Sequence, residues 1–135
     1  MIGVVDTSAL IRLFVPDGPL PQGIEAFFQG VEQGRNTAIA PELLIAESAN
    51  VINKKRINGD LSEGESDQLL SDLLSMPIRY YPHHSIIKSA CGFSRQFELT
   101  VYDALYIALS VDHGAILFTA DRKLLDIADK LHLLP

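Results

Sequence analysis

Ile2-Gly3-Val4-Val5-Asp6-Thr7-Ser8-Ala9-Leu10 is the stretch that decides the fold class. Ile2 to Val5 carry no polar side chain, so they do not alternate as a half-exposed strand does. They read instead as a strand covered on both faces. Asp6 ends that strand, and Thr7–Phe14 takes up the apolar spacing of a short helix. A buried strand running straight into a helix is how a parallel sheet with covering helices begins. Further along, Pro16, Gly18, Pro19 and Pro21 break the pattern before a helix over Gln22–Gln33 that stops at Gly34. Asn36–Ala40 reads as a second strand, with Pro41 at the first position of a helix reaching Ile57. Ser62 and Glu65 form a capping box for a helix to about Ser75. Ile78–Tyr81 is a third strand, His83–Phe97 a helix, and Thr100–His113 a very apolar helix with Gly114 at its stop. Ala115–Thr119 is a fourth strand, Arg122–Lys130 a last helix, and His132–Leu134 a small fifth strand. The expected architecture is a three-layer α/β sandwich, one domain over residues 1–135, whose central, mostly parallel sheet of four to five strands is flanked by helices.

Composition agrees with one domain. The chain has 135 residues, 47% of them apolar and 21% charged, enough to bury a core and unlike a disordered tail. Eleven Lys and Arg against seventeen Asp and Glu leave a net charge of −6. That counts against a protein that coats nucleic acid by neutralising many phosphates. It leaves room for an enzyme that grips phosphates locally. A single cysteine excludes an intramolecular disulfide and any Cys-rich zinc site. No apolar run reaches the ~18 residues of a membrane span. Met1 leads directly into a strand, unlike a signal peptide, so a cytoplasmic, reducing setting is expected.

Four acids stand out by position. Asp6 ends the first strand, where ligands bind in open parallel sheets, although Asp there is also a good helix N-cap. Asp121, in Leu117-Phe118-Thr119-Ala120-Asp121, repeats the arrangement after the fourth strand and carries the same two readings. Glu47 shares a helix face with Leu43, Leu44 and Val51, which puts an acid in an apolar stripe unless it reaches solvent at the stripe edge. Asp103 is the only charged residue in Thr100-Val101-Tyr102-Asp103-Ala104-Leu105-Tyr106-Ile107-Ala108-Leu109-Ser110-Val111. A helix apolar all round is buried, so the acid is carried inward with it. Thr100 and Asp103 also have capping-box spacing, and capping is compatible with a site role.

If these four converge, carboxylate pairs ~4–5 Å apart repel by roughly 3–4 kcal/mol at an effective dielectric of about 20. No Lys or Arg in the four segments is placed to neutralise them, so a divalent cation is the economical counter-charge. Oxygen-only ligands select Mg²⁺ or Mn²⁺ over zinc. The chemistry natural to such a site is phosphoryl or phosphodiester displacement.

Val5-Asp6-Thr7-Ser8-Ala9-Leu10, Pro41-Glu42-Leu43-Leu44-Ile45-Ala46-Glu47, the Thr100–Leu109 stretch and Thr119-Ala120-Asp121 together resemble the PIN-domain ribonucleases, in order and across the whole chain. The small free-standing form is similar to the VapC toxins of toxin–antitoxin pairs. The resemblance implies an Mg²⁺- or Mn²⁺-dependent endoribonuclease, a homodimer, and inhibition by a VapB-like antitoxin. By motif position it carries the acidic site over to Asp6, Glu47, Asp103 and Asp121, with Ser8 and Thr119 as supporting hydroxyls. The alternatives are an RNA-processing nuclease that has no antitoxin and an inactive binding module, the latter disfavoured by the complete acid set. A phospho-receiver domain is the rival outside the family. It would need paired acids after the first strand and an acceptor Asp after the middle one, where Asp6 stands alone and Tyr81-Pro82 follows.

Among the remaining polar residues, Lys54-Lys55-Arg56 is a basic run at a helix end, favoured there by the helix dipole. Asn50 and Lys54 lie near the face of Glu47 and are candidates to extend the site toward an RNA backbone, as is Arg122 beside Asp121. Arg12, one turn after Ser8, is a further candidate of the same kind, and the resemblance implies that such a position can also meet an antitoxin carboxylate. His83 and His84 read as surface residues at a helix start, because neighbours on a helix point about 100° apart and share an ion poorly. Cys91 reads as a small core residue. Tyr80, Tyr81, Phe93 and Phe97 read as core or dimer packing rather than base-stacking residues.

Overall fold

A computed structural model describes all residues, Met1–Pro135. In chain order the elements are β1 (Ile2–Val5), α1 (Thr7–Phe14), α2 (Ile24–Glu32), β2 (Thr37–Pro41), α3 (Leu43–Ile57), α4 (Glu63–Leu74), β3 (Ile78–Tyr81), a 3₁₀ turn (His83–Ser85), α5 (Ile87–Phe97), α6 (Val101–His113), β4 (Ile116–Phe118) and α7 (Arg122–Lys130). The four strands form one sheet in the order β3-β2-β1-β4. Every pair is parallel. Seven helices flank it, as expected for a three-layer α/β fold.

β1 is central, and Val4 and Val5 are wholly buried, as a strand without alternation requires. Gly3 lies where Phe27 and Phe118 meet at 4.8 Å between ring centroids. A Cβ on Gly3 would come within 2.6 Å of the Phe27 ring, so only glycine lets β1 pass under that pair. α6 is the most deeply buried helix, with Ala104 to Ser110 buried without interruption, and it packs against β1, β2 and β4. The strand order reverses between β1 and β4, because the chain builds outward through β2 and β3 and then returns to the other side of β1. In open α/β sheets the ligand crevice lies beyond the strand carboxyl ends at such a reversal. Asp6 follows β1 there, and Thr119 to Asp121 follow β4.

Three expectations are corrected. Pro41 does not open a helix; it is the last residue of β2, paired with Tyr81. Its missing N–H interrupts nothing on the β1 side, where pairing has already ended at Val4–Ile39. The stretch His83–Phe97 is not one helix, because the 3₁₀ turn closes at Ser85 and α5 starts after the Ile86 bend. There is no fifth strand. The tail gives β4 a single bond, from Leu117 N–H to the Leu133 carbonyl at 2.8 Å. His132 takes a left-handed φ of 57°, which breaks the extended path a strand would need.

Candidate active site

Asp6 is the most constrained of the four acids, being only 3% exposed. Its Oδ1 accepts from the Ala9 N–H at 2.9 Å, which caps α1, and from Ser8 Oγ at 2.7 Å. Its Oδ2 accepts a short bond from Thr119 Oγ1. The two hydroxyls also accept from the chain entering α7: Ser8 Oγ from Ala120 N–H at 2.9 Å, Thr119 Oγ1 from Asp121 N–H at 3.0 Å. Ser8 and Thr119 therefore tie the ends of β1 and β4 together through one carboxylate. Burial pushes the Asp6 carboxyl up from 3.8 to about 6, against the lowering effect of its three hydrogen bonds, and the Asp121 charge adds to the rise.

Asp121 caps α7 by accepting from Leu124 N–H at 3.0 Å. Capping and cleft placement thus coexist at both strand ends. Asp103 sits in the first turn of α6, whose cap is Thr100 Oγ1 accepting from the Asp103 N–H at 3.1 Å. Desolvation raises its pKa, and the neighbouring Asp121 and Glu47 charges raise it further. Glu47 is half-buried and points inward rather than to solvent at the stripe edge. Its Oε1 accepts from Tyr106 Oη at 2.6 Å and from Thr7 Oγ1 at 2.9 Å. Burial and the adjacent carboxylate hold the Tyr106 proton far above the ordinary phenol range, so this hydroxyl is a permanent donor to Glu47.

All four acids line one cleft of about 360 Å³, together with Thr7, Ser8, Arg12, Asp17 and Tyr106. Asn50, Lys54 and Arg122 do not line it; all three are exposed outside. Thr7, Tyr106 and Asp17 line the cleft without being singled out by the sequence, whereas Arg12 is among its candidate contacts. Tyr106 had a readable signal, because it follows Asp103 by three and so shares its helix face. Asp17, in a proline-broken loop, had none.

No three His, Cys, Asp or Glu side chains are gathered closely enough to form a ready-made metal cage. The donor set nevertheless fits a hydrated hard cation. Every candidate donor is a carboxylate oxygen, and Glu47 Oε2 and Asp121 Oδ2 accept no hydrogen bond from the protein. Mg²⁺ keeps several waters and uses one or two carboxylates rather than an all-protein cage.

A parallel sheet with an acid-lined cleft at its order reversal defines an α/β protein built to act on a ligand at that edge. The PIN domain pattern matches residues 3–130, and the chain belongs to the PIN-domain family. It is 32% identical over 123 residues to ribonuclease VapC3 of Pyrobaculum aerophilum, covering 90% of each chain. Its fold is similar to that of PAE2754 from Pyrobaculum aerophilum, with a TM-score of 0.71 at 22% identity over 93% of this chain and 78% of that one. It is also similar to a chain of VapBC2 from Rickettsia felis solved with a promoter DNA fragment, with a TM-score of 0.56 at 14% identity over 87% and 85% of the two chains.

Proposed function

We propose that this protein is a divalent-metal-dependent endoribonuclease, and the toxin half of a toxin–antitoxin pair. The observation that carries the reading is the meeting of Asp6, Glu47, Asp103 and Asp121 in one cleft from four separate elements of the chain. The ribonuclease name of the Pyrobaculum relative supports RNA as substrate. The antitoxin-bearing name of the Rickettsia complex supports a VapB-like partner. A cytoplasmic homodimer completes the proposal.

Asp6, Asp103 and Asp121 would hold Mg²⁺ or Mn²⁺, with Glu47 beside them. Bound there, the ion supplies charge neutralisation at a phosphodiester and makes water easier to deprotonate. Asp6 is kept from swinging by its three protein donors, and it fixes the β1 and β4 ends relative to each other. Glu47 is anchored through Oε1 alone, so Oε2 is available to orient the attacking water and take its proton. Water adds to phosphorus as its proton passes to Glu47, the bond from phosphorus to the ribose oxygen breaks, and that oxygen takes a proton from solvent while Glu47 returns its own. Asn50, Lys54 and Arg122 lie outside the cleft lining, so their contact would be with the flanking RNA rather than the reacting phosphate.

The reading is tested by incubating the purified protein with single-stranded RNA. Cleavage with Mg²⁺ or Mn²⁺, lost in EDTA and in Asp121→Asn, supports it. Equal cleavage by Asp121→Asn would refute it. Growth arrest on expression, relieved by a small protein encoded beside the gene, separates the toxin from an RNA-processing nuclease.

A further inference from the structure

Arg12 is the one cation among the residues that line the acid cleft. It lies half-buried in the last turn of α1. Its Nη1 donates to the Pro19 carbonyl at 2.8 Å. The backbone at Gly18 lies against the guanidinium, since a Cβ there would be 2.9 Å from Arg12 Cζ and 3.1 and 3.2 Å from its two terminal nitrogens. The α1–α2 loop thus sets the plane of the guanidinium with one hydrogen bond, out of five N–H donors available.

Despite five acids on the cleft wall, Arg12 is in no ion pair. Asp17, in the α1–α2 loop that packs on Arg12, lines the same cleft. Asp17 is instead held by Lys55 of α3, with Nζ 2.7 Å from Oδ2, and the Lys55 side chain is only 17% exposed. A surface ion pair contributes little to stability. Its consequence here is positional: it engages Asp17 and leaves the guanidinium fork open to the cleft.

We propose that Arg12 grips an RNA phosphate next to the one being cleaved, and that Lys55 is a positioning residue that keeps Arg12 available by holding Asp17. This rests on the RNA-cleaving reading above. A guanidinium with free paired N–H groups suits bidentate phosphate recognition. A phosphodiester chain is favoured over a single carboxylate from a partner protein by what the cleft lining combines, an acid cluster whose charge calls for a cation and a fixed guanidinium fork. A ligand with repeated anions meets both at once.

The test is binding of a fluorescein-labelled single-stranded RNA of mixed sequence, read by anisotropy across a salt series in EDTA, together with KM and kcat in Mn²⁺. Arg12→Gln is expected to weaken binding about tenfold, as for a lost charge-assisted contact. It should flatten the log–log salt slope by about 0.7, one phosphate contact on a single strand. KM should rise more than kcat falls. Arg12→Lys, which keeps the charge without the fork, should lie between Arg12→Gln and the unaltered protein. Lys55→Met should also weaken binding, and Asp17→Asn in the same chain should restore it. Unchanged affinity and salt slope in Arg12→Gln, or no rescue of Lys55→Met by Asp17→Asn, would overturn the proposal. Those outcomes leave cleavage by the unaltered protein intact, whereas failure of the parent reading shows as no cleavage by the unaltered protein.

Discussion

Asp6 is bound into the fold by three hydrogen bonds and, in the proposed function, into the chemistry as well. In the folded chain its carboxyl is raised from 3.8 to about 6, so the native state favours the protonated form. Below pH 3.8 the group is neutral whether folded or unfolded, and its burial is tolerated. As pH rises through about 6, the native carboxyl must ionise against desolvation, and that stability is lost. At neutral pH, without metal, the loss is about 3 kcal/mol. Thermal melts in EDTA should therefore show the unaltered protein losing stability relative to Asp6→Asn between pH 4 and pH 7, with the variant more stable at neutral pH. A difference that does not change with pH would contradict the assignment. Tyr106→Phe makes a separate residue-scale test. It keeps the buried ring but removes the donor to Glu47, so kcat should fall about tenfold while stability drops by about 1–2 kcal/mol. A kcat equal to that of the unaltered protein would show that Glu47 needs no anchor.

At the scale of elements, helix starts do most of the aiming. Asp6, Thr100 and Asp121 each cap a helix with a side-chain oxygen, and the capping box at Ser62 and Glu65 forms as its spacing predicts. These were legible because a cap is a local event within four residues. The start of α3 was not. Its Leu43 N–H donates to His83 Nε2 at 3.0 Å, an acceptor forty positions away that arrives only because β3 lies beside β2. His83 therefore has a structural task that its reading as a surface histidine missed. His83→Ala should destabilise the protein by about 1 kcal/mol, the usual cost of losing a cap, as measured by urea unfolding. No change in the midpoint would refute that role. The basic run 54–56 divides in the same way. Lys54 is exposed as read, but Lys55 is drawn into the Asp17 pair by a loop that sequence spacing does not locate.

For the whole molecule, the parallel sheet and the four acids were readable because each rests on a short pattern: a non-alternating strand, an acid at its end, an acid in an apolar stripe. Their convergence depends on strand order, which no local pattern contains. With β1 between β2 and β4, the reversal point falls between Asp6 and Asp121. α6 packs on the same strands and brings Asp103 and Tyr106 to that edge, where Glu47 of α3 meets Tyr106. The tail was misread for a related reason, since nothing in His132-Leu133-Leu134 announces the left-handed turn at His132.

The most direct test of the account is a Mn²⁺ titration of RNA cleavage by the unaltered protein and by Asp6→Asn, Glu47→Gln, Asp103→Asn and Asp121→Asn, each checked for folding by circular dichroism. The predicted result is saturable Mn²⁺-dependent cleavage in the unaltered protein. Each folded variant should need more Mn²⁺ or fall by at least about a hundredfold in rate, in keeping with loss of one contributor to a metal-assisted site. Cleavage that persists without divalent metal, or four variants that titrate like the unaltered protein, would contradict it.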